Sequence, residues 1–263
     1  MTADGIVLVH GGLHTARCWD PVLPLLDAPT RAVDLPGRGA RPADVRTVTL
    51  DDCVAAVLED ADAAGFDRFV LVGHSLGGRI ATLFAGRHPE RMAGLVLVDV
   101  GPEVDARGRM RIRQDVESKP QPVYASVAEY AREVSLAYPA ARAEVLARMA
   151  QHGLRRRDDG RFELKMDPAL RGAFFSGESP QEAEAREREQ TQAQWDALAK
   201  IPCATLVVRG AASDILSPEV ADRMVDEVLR EGRLAIVPRA GHSVMTDNPE
   251  GFRDAVCEFV LSG

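Results

Sequence analysis

Phe69-Val70-Leu71-Val72-Gly73-His74-Ser75-Leu76-Gly77-Gly78 is the stretch whose reading decides the fold. Its first four residues are apolar or β-branched and predict a strand buried on both faces. Residues Ile80 to Arg87, rich in alanine and leucine, predict the helix that follows. Between them stands Gly73-His74-Ser75-Leu76-Gly77, a G-x-S-x-G turn whose small flanks leave room for a serine on a sharp, strained strand-to-helix corner. Such a serine holds its hydroxyl clear of the sheet, at a helix N-terminus whose free N–H groups favour developing negative charge. The plainer reading is a glycine-rich turn that packs a helix on a strand. The strand-turn-helix context favours the catalytic one.

Working outward, Ile6 to Val9 is a second continuous apolar run, bounded by Gly5 and by His10-Gly11-Gly12. Arg31 to Leu35 predicts another strand, stopped by Pro36-Gly37-Arg38-Gly39. Thr49 with Asp52 three residues on reads as a capped helix start; Val54, Val57, Leu58 and Ala61 share one face, and Gly65 ends it. Downstream, Gly94 to Val100, Ala204 to Val208 and Leu234 to Val237 read as strands, with helices from Pro218 to Leu229 and from Pro249 to Leu261. Alternation at this pace implies right-handed crossovers and a mainly parallel, doubly wound sheet, the α/β class.

One block interrupts the alternation. From Glu103 to Trp195 no strand-like run occurs apart from a short hairpin around Gly160 to Leu164. Amphipathic, charge-rich helices are expected instead at Ala106 to Glu117, Val127 to Leu136, Ala140 to His152 and Pro180 to Leu198. So long a block is no loop. We read residues 1–102 and 196–263 as the core and 103–195 as an inserted helical cap, laid over the carboxyl edge of the sheet where such sheets bind ligands. Its aromatics Tyr124, Tyr130, Tyr138, Phe174, Phe175 and Trp195 are candidates to line a pocket or, equally, to form core.

Bulk properties narrow the partners. A formal net charge of -8 argues against nucleic acid, and the one basic run, Arg155-Arg156-Arg157, is followed at once by Asp158-Asp159 as in a solvated turn. No apolar stretch approaches the ~20 residues of a membrane span, and no signal peptide is legible. Cys18, Cys53, Cys203 and Cys257 are far apart and form no metal-binding spacing, so a reduced, cytoplasmic chain without metal or cofactor is expected. The expected partner is a small-molecule substrate.

A serine alone is a weak nucleophile and needs a base, itself oriented by a carboxylate. Ser75, Asp214 and His242 each fall at or just after the carboxyl end of an expected strand, in nucleophile-acid-base order. Asp99 also ends a strand; we read it as a structural hydrogen-bonding residue, although in some proteins that this chain resembles an acid at that place can replace the later one. His74 reads as a packing group.

With Gly73-His74-Ser75-Leu76-Gly77, Gly210-x-x-Ser213-Asp214 and Gly241-His242 in place, the chain resembles the α/β-hydrolase superfamily over residues 5–101 and 200–262. The resemblance implies an α/β-hydrolase fold in which Ser75 is nucleophile, His242 general base then acid, and Asp214 the orienting carboxylate. It also implies an oxyanion hole, built from the backbone N–H of Leu76 and, after the first strand, of Gly12. Within that loop, His10-Gly11-Gly12-Leu13-His14 followed by Cys18-Trp19 is similar to the plant methylesterase and hydroxynitrile lyase branch. The lyases carry threonine at the place of Gly11 and lysine at that of Ser243, and both departures favour ester cleavage. Ser75 excludes the aspartate-nucleophile chemistry of dehalogenases and epoxide hydrolases. The resulting expectation is a serine hydrolase acting on an ester, thioester or lactone of a small, partly apolar molecule. A carbon–carbon bond hydrolase or cofactor-free haloperoxidase with the same three residues stands as one alternative, and a noncatalytic ligand receptor on the same fold as another.

Overall fold

A computed structural model describes residues 3–12, 14–44, 46–118, 122–165 and 180–261. Six parallel strands form the central sheet in the order β2-β1-β3-β4-β8-β9: β1 (Gly5–Val9), β2 (Thr30–Val33), β3 (Phe69–His74), β4 (Met92–Val98), β8 (Thr205–Gly210) and β9 (Gly232–Val237). The order reverses at β1, so the crossover helices are split between the two faces. Burial follows from this: Phe69, Leu71, Leu95, Leu97 and Val207 pack into one core, whereas Val70, Val72, Val96, Val98 and Val208 pack into the other. Strands covered on both sides must be apolar at every position, which is why they read as unbroken apolar runs.

Helix α1 (Leu50–Ala63) begins at the expected capping box. The Asp52 N–H donates to Thr49 Oγ1 at 3.2 Å, and the Thr49 N–H donates to Asp52 Oδ2 at 2.8 Å. Helix α2 (Leu76–Arg87) starts four residues earlier than its apolar pattern, because Gly77 and Gly78 are poor helix formers that a close approach requires there. The expected helix from Pro218 is α-helical over Pro218–Arg223, numbered α7 below, and continues as a π turn over Met224–Val228.

Between β4 and β8 the chain forms α3 (Ala106–Ser118), α4 (Val127–Ala137), α5 (Ala143–Gly153) and α6 (Pro180–Leu198). It also forms a small antiparallel sheet from β5 (Val123–Tyr124), β6 (Leu154–Arg156) and β7 (Phe162–Leu164). The basic run belongs to this sheet: Arg155 and Arg157 both bond Glu163, at 2.7 and 2.8 Å, across the hairpin. The rings of Tyr124 and Tyr130 meet at a tilt with centroids 4.9 Å apart, and Trp195 is buried in the core. Phe174 and Phe175 lie outside the described residues. No described helix is long and apolar enough to cross a membrane. After β9 come α8 (Val244–Asp247) and α9 (Pro249–Leu261), which packs Phe252, Val256 and Phe259 under the sheet.

Candidate active site

Ser75 sits on the corner between β3 and α2 with φ 53° and ψ -118°, a region that side-chain-bearing residues rarely occupy. Its neighbours permit this only by being small. A Cβ at Gly73 would lie 2.4 Å from the Gly77 carbonyl oxygen, and one at Gly77 would lie 2.3 Å from that of Val9. Three non-glycine residues carry positive φ among those described: Ser75, Asp99 at 49° and Arg239 at 55°. Two of them are chemical groups at adjacent strand ends, and backbone strain of this kind gathers where function demands it.

The loop after β9 carries His242, whose side chain is mostly buried. Its Nδ1 donates to Asp99 Oδ2 at 2.8 Å. Asp99 is wholly buried, and a carboxylate there must be compensated by hydrogen bonds. It receives three: from His242 Nδ1, from Ser213 Oγ to Oδ2 at 2.6 Å, and from the Gly210 N–H to Oδ1 at 3.2 Å. Ser213 Oγ in turn accepts from the N–H groups of Ile215 and Leu216, at 3.0 and 3.2 Å, so its own proton is directed at Asp99. The imidazole therefore offers Nε2 as the free base.

The sequence placed Asp214 in that position, and here the structure departs from it. Asp214 bonds Arg111 of α3 in a bidentate pair, Nε to Oδ2 at 2.6 Å and Nη2 to Oδ1 at 2.9 Å. The Arg111 guanidinium holds the Asp214 carboxyl below the usual carboxylate range. Ser213 and Asp214 are adjacent on one loop and point in different directions, so the inward position falls to the serine and the acid comes from β4. Ser75 Oγ makes no hydrogen bond among the described residues. Serine–base contacts often tighten only when substrate is present.

The loop after β1 is braced from two sides. His10 is buried and neutral, its pKa lowered by burial to about 3; Nε2 accepts the Leu35 N–H at 3.1 Å and Nδ1 donates to the Gly11 carbonyl at 2.7 Å. Arg38 Nε donates to the Gly12 carbonyl at 2.9 Å. Both carbonyls are thus occupied and fixed in direction. Leu76 opens α2, and an N–H at that position has no acceptor within its own helix. His14 closes the loop, with Nε2 2.9 Å from the Tyr138 hydroxyl at the end of α4.

Three residues here escaped the sequence reading, Ser213, His10 and Arg38, while Asp99, considered there as an alternative acid, was read as structural and is the partner of His242. Asp99 did carry a signal. An aspartate enclosed in Val98-Asp99-Val100, at the end of a seven-residue apolar strand, is a charge that folding buries and must pair. No group of three or more His, Cys, Asp or Glu among the described residues is arranged to hold a metal ion.

A doubly wound sheet with a strained serine at one strand end, and an imidazole bonded to a buried carboxylate beside it, defines the α/β-fold hydrolytic enzymes. Comparison with known proteins agrees. The alpha/beta hydrolase family matches residues 6–255. The Mycobacterium tuberculosis esterase Rv0045c is 26% identical over 97% of this chain and 82% of its own. The pimeloyl-acyl-carrier-protein methyl ester esterase of Edwardsiella ictaluri is 30% identical over 97% of this chain and 92% of its own. Among solved structures, an alpha/beta hydrolase from Novosphingobium aromaticivorans superposes with a TM-score of 0.77 at 28% identity, covering 100% of this chain and 91% of that one. The chain belongs to the alpha/beta hydrolase family and is an enzyme of it.

Proposed function

We propose that the protein is a serine hydrolase of esters, thioesters or lactones of small, partly apolar molecules, with Ser75 as nucleophile, His242 as base and Asp99 as the carboxylate that orients it. The observation that carries this reading is the 2.8 Å bond from His242 Nδ1 to a wholly buried Asp99, next to a serine held at φ 53°. Esterase relatives spanning nearly the whole chain support ester as the bond class.

In this mechanism His242 Nε2 takes the Ser75 proton as Oγ bonds to the substrate carbonyl carbon, and the carbonyl π pair moves onto oxygen. The Leu76 and Gly12 N–H groups receive that oxyanion. Their preorganisation matters: loss of one such donor typically raises the barrier by about 3 kcal/mol. Asp99 stabilises the imidazolium that forms. As the oxyanion collapses, the bond to the leaving oxygen or sulfur breaks and the leaving atom takes the proton from His242. Water, deprotonated by the same nitrogen, then attacks the acyl-enzyme and releases the acid and Ser75. Residues 103–195 serve as the cap of this site, touching it at Tyr138 on His14 and at Arg111 on Asp214.

A fluorophosphonate probe tests the assignment without knowledge of the natural substrate. The wild-type protein should label at Ser75 and turn over short p-nitrophenyl esters, and Ser75→Ala should do neither. Labelling that persists in Ser75→Ala would remove Ser75 from the mechanism.

A further inference from the structure

Position 74 precedes the nucleophile, and its side chain is wholly buried. His74 Nε2 lies 2.9 Å from the backbone carbonyl oxygen of His242. A carbonyl only accepts, so Nε2 carries the proton and Nδ1 holds a bare lone pair. That Nδ1 is buried and has no hydrogen-bond partner among the described residues. The ring lies between two other imidazoles, its centroid 4.6 Å from that of His242 and 5.5 Å from that of His14. Its Nδ1 edge faces Gly11, where a Cβ would come within 2.8 Å of it. One ring thus touches the base, the base's backbone and the loop expected to bind the oxyanion.

We infer that His74 is a positioning residue, whose Nε2–H to His242 carbonyl bond ties the base loop to the serine corner and sets the distance between the two reacting side chains. The inference rests on the reading of Ser75 and His242 as nucleophile and base. The other restraints on the base loop lead elsewhere: the Gly241 N–H to Asp247 at 2.8 Å, the Ala240 carbonyl to the Ala212 N–H at 2.9 Å, and the His242 ring to Asp99. Among the described residues, the His74 bond alone of these reaches a residue covalently joined to Ser75. A displacement of about 1 Å between reacting groups costs roughly 100-fold in rate, so a restraint at this junction carries weight beyond its own strength. Burial keeps the His74 ring neutral, with its pKa well below the ordinary histidine value. A neutral ring lying tilted against His242, 4.6 Å between centroids, accommodates the imidazolium formed during turnover, whereas a second cation would repel it.

The test separates the hydrogen bond from the packing. His74→Phe keeps a ring without a donor, and His74→Gln keeps a donor without a ring. Labelling by a fluorophosphonate, resolved into its binding constant and limiting rate, is measured for both beside the wild type, with thermal unfolding as the control for folding. Phe should lower the limiting rate by about 10- to 100-fold with the binding constant unchanged, and Gln should recover it to within about threefold of wild type. His74→Leu replaces Phe if that variant does not fold. A donor-free variant that labels at the wild-type rate, or a folded Gln variant as slow as Phe, overturns the inference. Failure of the underlying reading looks different: the wild type itself would not label, or Ser75→Ala would.

Discussion

Strands β4 and β8 lie side by side in the sheet, each leads into a loop with an aspartate, and the two carboxylates sit in different surroundings. Asp99 is wholly buried, with three donors from the core and, among the described residues, none from the cap segment. Asp214 is partly exposed, and its bidentate partner comes from α3 of that segment. Both are anions near the same histidine, but only one is immobilised by a network that exists before substrate arrives. On the proposed reading, orienting the base falls to the fixed, desolvated partner, whereas a partly exposed ion pair contributes little. Burial and partner, rather than residue type or order along the chain, divide the two roles.

The sharpest way to break this comparison is to neutralise each carboxylate without changing its shape. Asp99→Asn should lower the limiting rate of ester turnover and of fluorophosphonate labelling by about four orders of magnitude, since an amide presents the wrong partner to Nδ1 and favours the wrong tautomer. Asp214→Asn should leave both within about threefold, as expected for a partly exposed ion pair. Exchange of the two results, with Asp214→Asn the inactive protein, would return the orienting role to β8.

A smaller effect probes how Asp99 is held. Ser213 Oγ donates its proton to Asp99 while two N–H groups of its own loop fill its lone pairs. Ser213→Ala removes that donor and strands the Ile215 and Leu216 N–H groups, so both stability and rate should suffer. A hydrogen bond to a charged acceptor is worth about 1.5–3 kcal/mol, which sets a rate loss on the order of tenfold if even half is expressed at the base. Steady-state kinetics with a short p-nitrophenyl ester, beside a denaturant titration, measures both. A variant with wild-type rate and wild-type stability would show that Asp99 does not depend on the β8 loop.

These contrasts also explain what the residues disclosed in advance. The sheet was legible because strands covered on both faces have no freedom to be polar, and the serine corner because Gly73 and Gly77 have no room for a Cβ. The histidine was legible from its place after a strand. The carboxylate was not, since periodicity fixes side-chain direction inside a strand or helix and says nothing about a loop. Ser213 and Asp214 are adjacent there, and which of them faces inward depends on the turn that Ser213 Oγ and Arg209 build with backbone groups of residues 213–216. His74 and His10 were hidden for a related reason. Their roles consist of bonds to backbone atoms of other loops, His242 and Leu35, and side-chain patterns do not record where distant backbone groups arrive. The small β5-β7-β6 sheet escaped in part because two- and three-residue strands are too short to show alternation.

The smallest effect sharpens the other half of the comparison, the link between Asp214 and the cap segment. The Arg111 guanidinium depresses the Asp214 pKa below the ordinary carboxyl value of 3.8, so the pair's stabilisation of the folded protein is fully present above that value. The contribution is lost as pH falls through the lower folded-state value. Both side chains are partly exposed, which limits the pair to about 1 kcal/mol or less. Unfolding midpoints of wild type, Asp214→Asn, Arg111→Met and the double variant, taken from neutral pH down to below 3.8, form a cycle in which other titrating groups largely cancel. The coupling should be present at neutral pH, weaken in high salt, and vanish at the acid end. A coupling that persists in acid would mean that Arg111 and Asp214 communicate through packing of α3 on the β8 loop, where Gly108 lies against the Asp214 backbone, and not through charge.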